Sequence, residues 1–223
     1  MTLGEYLGAG SSITKWLYRM NGNSNDASGN GYNLTATNIS YVDSKFWFWA
    51  SGNWTNNSLS TTNTLWIDWW TMTASIRIKM NAEISTSEIY FLYQANNISD
   101  VWQMIKYEYN GWTRRVWFTR NKAFVAANQS YYTITLWTSL YHNLIYVYDW
   151  TDVYWYVNWI KTTPVASTWN WAGTSVEWLF IWSAYSWIWK SNAIIDEVIV
   201  ENRVRSQSEI QKYYTYTKGR FWI

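Results

Sequence analysis

The stretch Thr71 to Met80, TMTASIRIKM, alternates without exception. Met72, Ala74, Ile76, Ile78 and Met80 share one face, and Thr71, Thr73, Ser75, Arg77 and Lys79 share the other. Successive side chains of a strand point to opposite sides of a sheet. Ten residues of this pattern therefore specify a half-buried strand of an antiparallel sheet, with one face in a core and the other in water. Further strand segments are Trp16–Met20, Ile89–Gln94, Trp102–Tyr109, Val116–Arg120, Leu144–Asp149, Val153–Asn158, Leu179–Ser183 and Ile194–Glu201, all rich in the Tyr, Ile, Val and Phe that pleated surfaces favour. Polar Asn, Ser, Thr and Gly stretches separate them at short intervals. Helical signal is confined to the end of the chain. There Ser206-Gln207-Ser208-Glu209 forms a capping box ahead of an apolar stripe of Ile210, Tyr213 and Tyr214. The expected fold class is all-β: two antiparallel sheets packed as a sandwich, with one short C-terminal helix.

The 223 residues suit one large β domain, and no Pro/Gly/Ser linker or charge block divides residues 1–223, with a core of about 16–214. Seventeen basic and fifteen acidic residues leave a net charge of +2. Without a local Lys/Arg cluster, that balance argues against nucleic acid as a partner. The absence of cysteine removes disulfides and thiolate metal sites. No apolar run approaches the roughly 18 residues of a membrane span, and Met1 to Ser12 lacks the basic and apolar regions of a signal peptide. The expected location is extracellular, at a cell surface or on a virion, with the domain carried within a longer polypeptide.

Two counts are unusual: 21 Trp, and only 10 Gly with one Pro. Many of the Trp residues stand where turns belong. In Leu144 to Ile160, LIYVYDWTDVYWYVNWI, two strands meet at Asp149-Trp150 and the second leaves through Asn158-Trp159. Tight hairpins prefer Asp-Gly or Asn-Gly, because the second turn residue takes positive φ. A β-carbon at such a position costs about 1–2 kcal/mol.

With glycine read at those positions, the segment resembles the His-φ-x-φ-x-Tyr-Asp-Gly-Thr and Tyr-Val-Asn-Gly core of the concanavalin A-like lectin/glucanase superfamily, in its laminin-G-like jelly-roll form. His142, Tyr148-Asp149 and Tyr156-Val157-Asn158 carry the likeness. The loop from Met20 to Gly31 is similar to the family's opening Asn-Asp-x-Ser-Gly-Asn loop. Lys45-Phe46, Asn53 and Leu59 are similar to its Gly-Lys-Phe-Gly strand region. Ile195-Asp196-Glu197-Val198, Asn202-Arg203 and Ser206 to Ile210 resemble its closing strand and helix. The resemblance covers about residues 16 to 214 and implies a jelly-roll sandwich used for binding.

The departures share one form, Trp for Gly, at Trp47, Trp54, Trp66, Trp69, Trp70, Trp150, Trp159 and Trp182. Two readings stand. One is a decoding difference, in which UGA codons meant as glycine are translated as tryptophan. The other is an authentic Trp-rich surface for carbohydrate. UGG codons at these positions exclude the first.

Asp196 shares the phase of Ile194, Val198 and Val200, which places a carboxylate on the expected core face. Such a group needs hydrogen bonds or a cation. If the first and last strands lie together, as the resemblance implies, Asp26 and Asn30 of the opening loop meet Asp196. The three then form an oxygen-rich site for a structural Ca²⁺, a cation that takes about 6–8 oxygen ligands. The alternative is a carboxylate that caps loop N–H groups. His142 is the sole histidine and reads as a structural hydrogen-bonder, since no second His or Cys completes a triad or zinc site.

Glycoside hydrolysis needs two convergent carboxyl groups. The nearest echo of a glucanase signature is Glu197-Val198-Ile199-Val200-Glu201, where Ile199 replaces the central Asp and about 13 Å of strand separates the two Glu. No catalytic residue is assigned. The favoured function is a non-catalytic module recognising a carbohydrate or surface glycoconjugate. A structural or adhesive domain, partnered by other domains of a larger protein or virion, is the second, and a glycoside hydrolase the third.

Overall fold

A computed structural model describes residues 14–43, 48–52, 57–61, 71–82, 88–97, 100–110, 113–120, 129–136, 138, 140–149, 151–162, 165–166, 178–181 and 192–221. The described residues form two antiparallel sheets and one helix. In the first sheet the order is β13 (Ile160–Lys161), β12 (Asp152–Val157), β11 (His142–Tyr148), β6 (Met72–Met80), β16 (Ala193–Glu201), β4 (Phe48–Ser51) and β3 (Ser40–Asp43). β1 (Thr14–Tyr18) also pairs with β16, and β14 (Val165–Ala166) with β12. The second sheet runs β10 (Gln129–Thr133), β9 (Thr113–Arg120), β8 (Asp100–Asn110), β7 (Glu88–Asn97), β15 (Trp178–Ile181), β5 (Ser58–Thr61) and β2 (Thr35–Thr37).

The inner faces meet in one core. Met72, Ala74, Ile76, Ile78 and Met80 of β6 are all buried in it, as their alternation requires. Opposite them lie Phe91, Ile105, Tyr107 and Val116 of the second sheet, with Trp16, Tyr146 and Trp155 filling the largest volumes. Complete burial of one large apolar side chain contributes about 1.5–3 kcal/mol, and β6 supplies five apolar side chains to this core.

Two sequence expectations need correction. β6 is not half-buried: Thr73, Ser75 and Arg77 on its polar face are buried too, and only Lys79 is partly exposed. The cause is the helix α1 (Gln207–Phe221), which lies on the outer face of the first sheet. Ile210 packs on Ile145, Val147 and Tyr156, while Tyr213 packs on Leu17 and Ile199. The second correction concerns β16. Its pairing with β6 shifts between Ile195 and Val198, so Ala193, Ile195, Val198 and Val200 all reach the core. The extra residue of such a bulge puts Asp196 on the helix side with Arg77, not on the core side with Val198 and Val200.

Other expectations are met. Ser206 caps α1: its hydroxyl accepts the Glu209 N–H at 3.3 Å, and Glu209 accepts the Ser206 N–H at 2.8 Å. β12 and β13 are joined by Asn158-Trp159 with Val157 opposite Ile160, and both turn residues have positive φ, 48° and 69°. At the β11–β12 turn, the Asp149 carboxylate accepts the Thr151 and Asp152 N–H groups. Trp150 and the other Trp-for-Gly positions lie outside the described residues. The strands β2, β3, β10, β13 and β14 were not apparent in the sequence, being short or predominantly polar, while β4 and β5 fall in the strand region that the resemblance places around Lys45-Phe46, Asn53 and Leu59.

Candidate functional site

The residues expected to hold a cation separate into two places. Asp26 organises the opening loop. One carboxylate oxygen accepts the N–H groups of Leu17 and Ser28 at 3.2 and 2.9 Å; the other accepts the Ser28 hydroxyl at 2.8 Å and the Tyr32 N–H at 3.1 Å. The Asn30 side chain donates to the Thr14 carbonyl and to Ser28 Oγ, so Ser28 links Asn30 to Asp26. Asp196 is elsewhere. Tyr18 bridges to Asp26 on one side and pairs with Val198 on the other, which puts β1 between the loop and β16. The charge of Asp196 is met by Arg77, whose Nη1 lies 3.1 Å from Oδ2.

Asp196 belongs to a layer of buried charge beneath α1. Arg77 also lies 3.8 Å from Glu197 and donates to the hydroxyls of Tyr213 and Thr217. Tyr213 donates to Glu197, Arg205 pairs with Glu201, and Arg203 bridges Glu201 and Glu209. The two glutamates that echo a glucanase signature are therefore both buried, one held by Tyr213 and Arg77 and the other by two arginines. Tyr141 stands near Asp196, and burial and then that charge push its phenol well above the ordinary range. Among the described residues no group of three or more His, Cys, Asp or Glu is placed to hold a metal ion. His142 is buried on β11 opposite Ile78.

A different face has the character of a ligand platform. At the β10 edge of the second sheet, Tyr131 is paired in register with Trp117, and Trp117 with Lys106. In the next row Thr133 is opposite Arg115, and Arg115 opposite Glu108. The intervening residues Val116, Ile105 and Tyr107 point into the core, so these side chains stand on the outer face. Trp117 and Tyr131 touch, with ring centroids 4.9 Å apart, and Tyr131 is 48% exposed. The Lys106 amino group is 5.5 Å from the Trp117 ring and 3.5 Å from Glu108. The Arg115 guanidinium lies 4.7 Å from the Tyr131 ring. Two aromatic rings flanked by two cations thus form a partly exposed surface on rigid, paired strands.

None of these four residues was singled out from the sequence. Trp117 follows no turn residue and lies within the Val116–Arg120 strand signal, and that distinction marks it as a side chain with a packing or binding role. Tyr131 sits in Gln-Ser-Tyr-Tyr-Thr, which lacks the alternation that announces a strand.

Two antiparallel sheets packed face to face define a β-sandwich domain, and known structures share that fold. The fold is similar to domain 4 of AbnA, a GH43 extracellular arabinanase from Geobacillus stearothermophilus, solved with arabinotriose. The TM-score is 0.69 at 16% identity, over 91% of this chain and 98% of that one. It is also similar to the binding domain of botulinum neurotoxin DC in complex with SialylT, with a TM-score of 0.67 at 10% identity over 92% of this chain. A third likeness is to botulinum neurotoxin type C, whose cell entry depends upon interaction with two ganglioside molecules, with a TM-score of 0.66 at 12% identity over 96% of this chain. The chain spans about half the length of these toxin chains, 52% and 53%. No protein-family model and no curated protein sequence matches it. No helix among the described residues is long and apolar enough to cross a membrane.

Proposed function

We propose that this chain is a non-catalytic carbohydrate-binding module whose ligand stacks on the Trp117–Tyr131 platform. The observation that carries the reading is the exposed Tyr131 ring held against Trp117, both on paired strands at a sheet edge. Sugar rings present apolar C–H faces, and a rigid aromatic pair supplies contact area with little entropy to lose. The ligands of the structural neighbours, arabinotriose, SialylT and gangliosides, support a saccharide as the class of ligand. The burial of Glu197 and Glu201 against Tyr213 and the arginines supports binding over hydrolysis.

A glycan array followed by titration calorimetry tests it. The unaltered protein should bind at least one oligosaccharide, and Trp117→Ala and Tyr131→Ala should each weaken that binding by fivefold or more, roughly 1 kcal/mol. Melting temperatures of both variants separate lost binding from lost folding. Affinity unchanged in both folded variants would overturn the platform as the site.

A further inference from the structure

We infer that the glycan bound at this face is acidic, and that Arg115 reads a carboxylate on the sugar; this rests on the platform being the binding site. The two cations beside the rings are committed to different degrees. Lys106 has Glu108 at 3.5 Å, so its charge is already met in part. Glu108 stands directly opposite Arg115 in the register, yet turns to Lys106. Arg115 forms no ion pair with a described carboxylate, and its Nε is buried without a hydrogen bond among the described residues, so the terminal Nη groups are the ones that can meet a ligand.

What holds Arg115 is the Tyr131 ring, 4.7 Å from the guanidinium carbon. A stacked guanidinium is engaged through its face, whereas its N–H donors lie in its plane and point outward from the rim. That planar fork matches a carboxylate in a bidentate pair, and such charge-assisted bonds are the stronger kind. A sugar ring laid against Trp117 and Tyr131 brings a ring carboxylate, as in a uronic or sialic acid, to the edge where Arg115 carries its two terminal Nη groups. Glu108 is the described acid nearest Arg115 in the two rows, and Glu88 stands one strand further off, opposite Glu108. The pairing of Glu108 with Lys106 keeps it from repelling such a ligand outright.

Methyl esterification removes the charge and keeps the shape of the sugar, so the test uses sialyllactose and trigalacturonate, each against its own methyl ester. By calorimetry at low ionic strength, at least one acid should bind about tenfold or more tightly than its ester. The ratio should fall as salt is raised and collapse toward one in Arg115→Gln. Arg115→Lys, which keeps the charge and loses the fork, should retain only part of it. Equal binding of acid and ester, or a preference that survives in Arg115→Gln, overturns the inference while leaving a neutral-sugar platform standing. Binding to no member of either pair overturns it as well. Array binding that both Trp117→Ala and Tyr131→Ala leave unchanged overturns the platform reading itself.

Discussion

Arg77 and Asp196 form an ion pair 3.1 Å apart, with both side chains buried between the first sheet and α1. Residues 119 positions apart in sequence are thereby locked together, and the same guanidinium reaches Tyr213 and Thr217 of the helix. The pair is thus the pin between sheet and helix.

Removing one charge of such a pair leaves the other buried without compensation, at a cost of about 3–5 kcal/mol. Arg77→Met should therefore be strongly destabilising in urea unfolding, because it strands Asp196 and takes a cation from Glu197. Arg77→Met combined with Asp196→Leu should recover part of the loss, since an apolar pair of similar volume often equals a buried ion pair. A single variant that costs under about 1 kcal/mol would show that water reaches this layer.

The Asn158-Trp159 turn gives a cleaner comparison. Trp159 has φ 69°, where a β-carbon costs about 1–2 kcal/mol, yet its ring stacks on Tyr214, which returns about 0.5–1.5 kcal/mol. Trp159→Gly alone is therefore ambiguous, since it removes both terms. Trp159→Gly against Trp159→Ala isolates the backbone term. The glycine variant should be the more stable by about 1 kcal/mol, opposite to the usual advantage of alanine over glycine. Thermal melts of the two variants check this, and codon 159 of the gene, UGA or UGG, checks the decoding reading.

That turn was legible in the sequence because its chemistry is local: Asn followed by a position that wants glycine, between two apolar runs. The Ser206–Glu209 cap and the inward face of β6 were legible for the same reason. What was not legible depends on partners distant in sequence. Arg77 reads as solvent-facing until α1 is laid over it. Asp196 changes face because β16 inserts a bulge opposite Ile78 and Ile76, and a one-residue slip inverts every later side chain. Tyr131 becomes part of a surface only when β10 adds to β9 and brings it against Trp117.

Acid should loosen the start of α1 through Glu209. Burial by itself raises the pKa of this carboxyl, but hydrogen bonds from Arg203 and Ser206 outweigh it and hold the group below its ordinary value. A depressed folded-state pKa contributes stability that is present above the unfolded value, about 4.3, and is lost as pH falls through the folded value. Glu209→Gln should accordingly be less stable than the unaltered protein at pH 7. The difference should shrink as pH drops below about 4. Urea unfolding of both proteins at pH 7 and pH 3 measures it, and a gap independent of pH would show that the charge of Glu209 has no part in the cap.

Asp26 is the last case, because its carboxylate has reached capacity. An ionised carboxylate offers about four acceptor sites. The N–H groups of Leu17, Ser28 and Tyr32 and the Ser28 hydroxyl occupy that number. The loop they gather also sets Tyr18, whose hydroxyl donates to the Tyr32 carbonyl at 2.8 Å; burial, and then the Asp26 charge, hold that phenol well above its ordinary pKa. Asp26→Ala should leave three N–H donors and a hydroxyl without their acceptor. At about 1–3 kcal/mol for each buried group that water cannot reach, the loss should exceed that of a typical loop substitution. Asp26→Asn keeps the shape but turns one oxygen into a donor facing donors, so it should recover little. Millimolar Ca²⁺ should leave the melting temperature of the unaltered protein close to its value in chelator, because a cation must displace donors already in place. A rise of several degrees with Ca²⁺, abolished by Asp26→Asn, would show instead that the loop opens to take the ion.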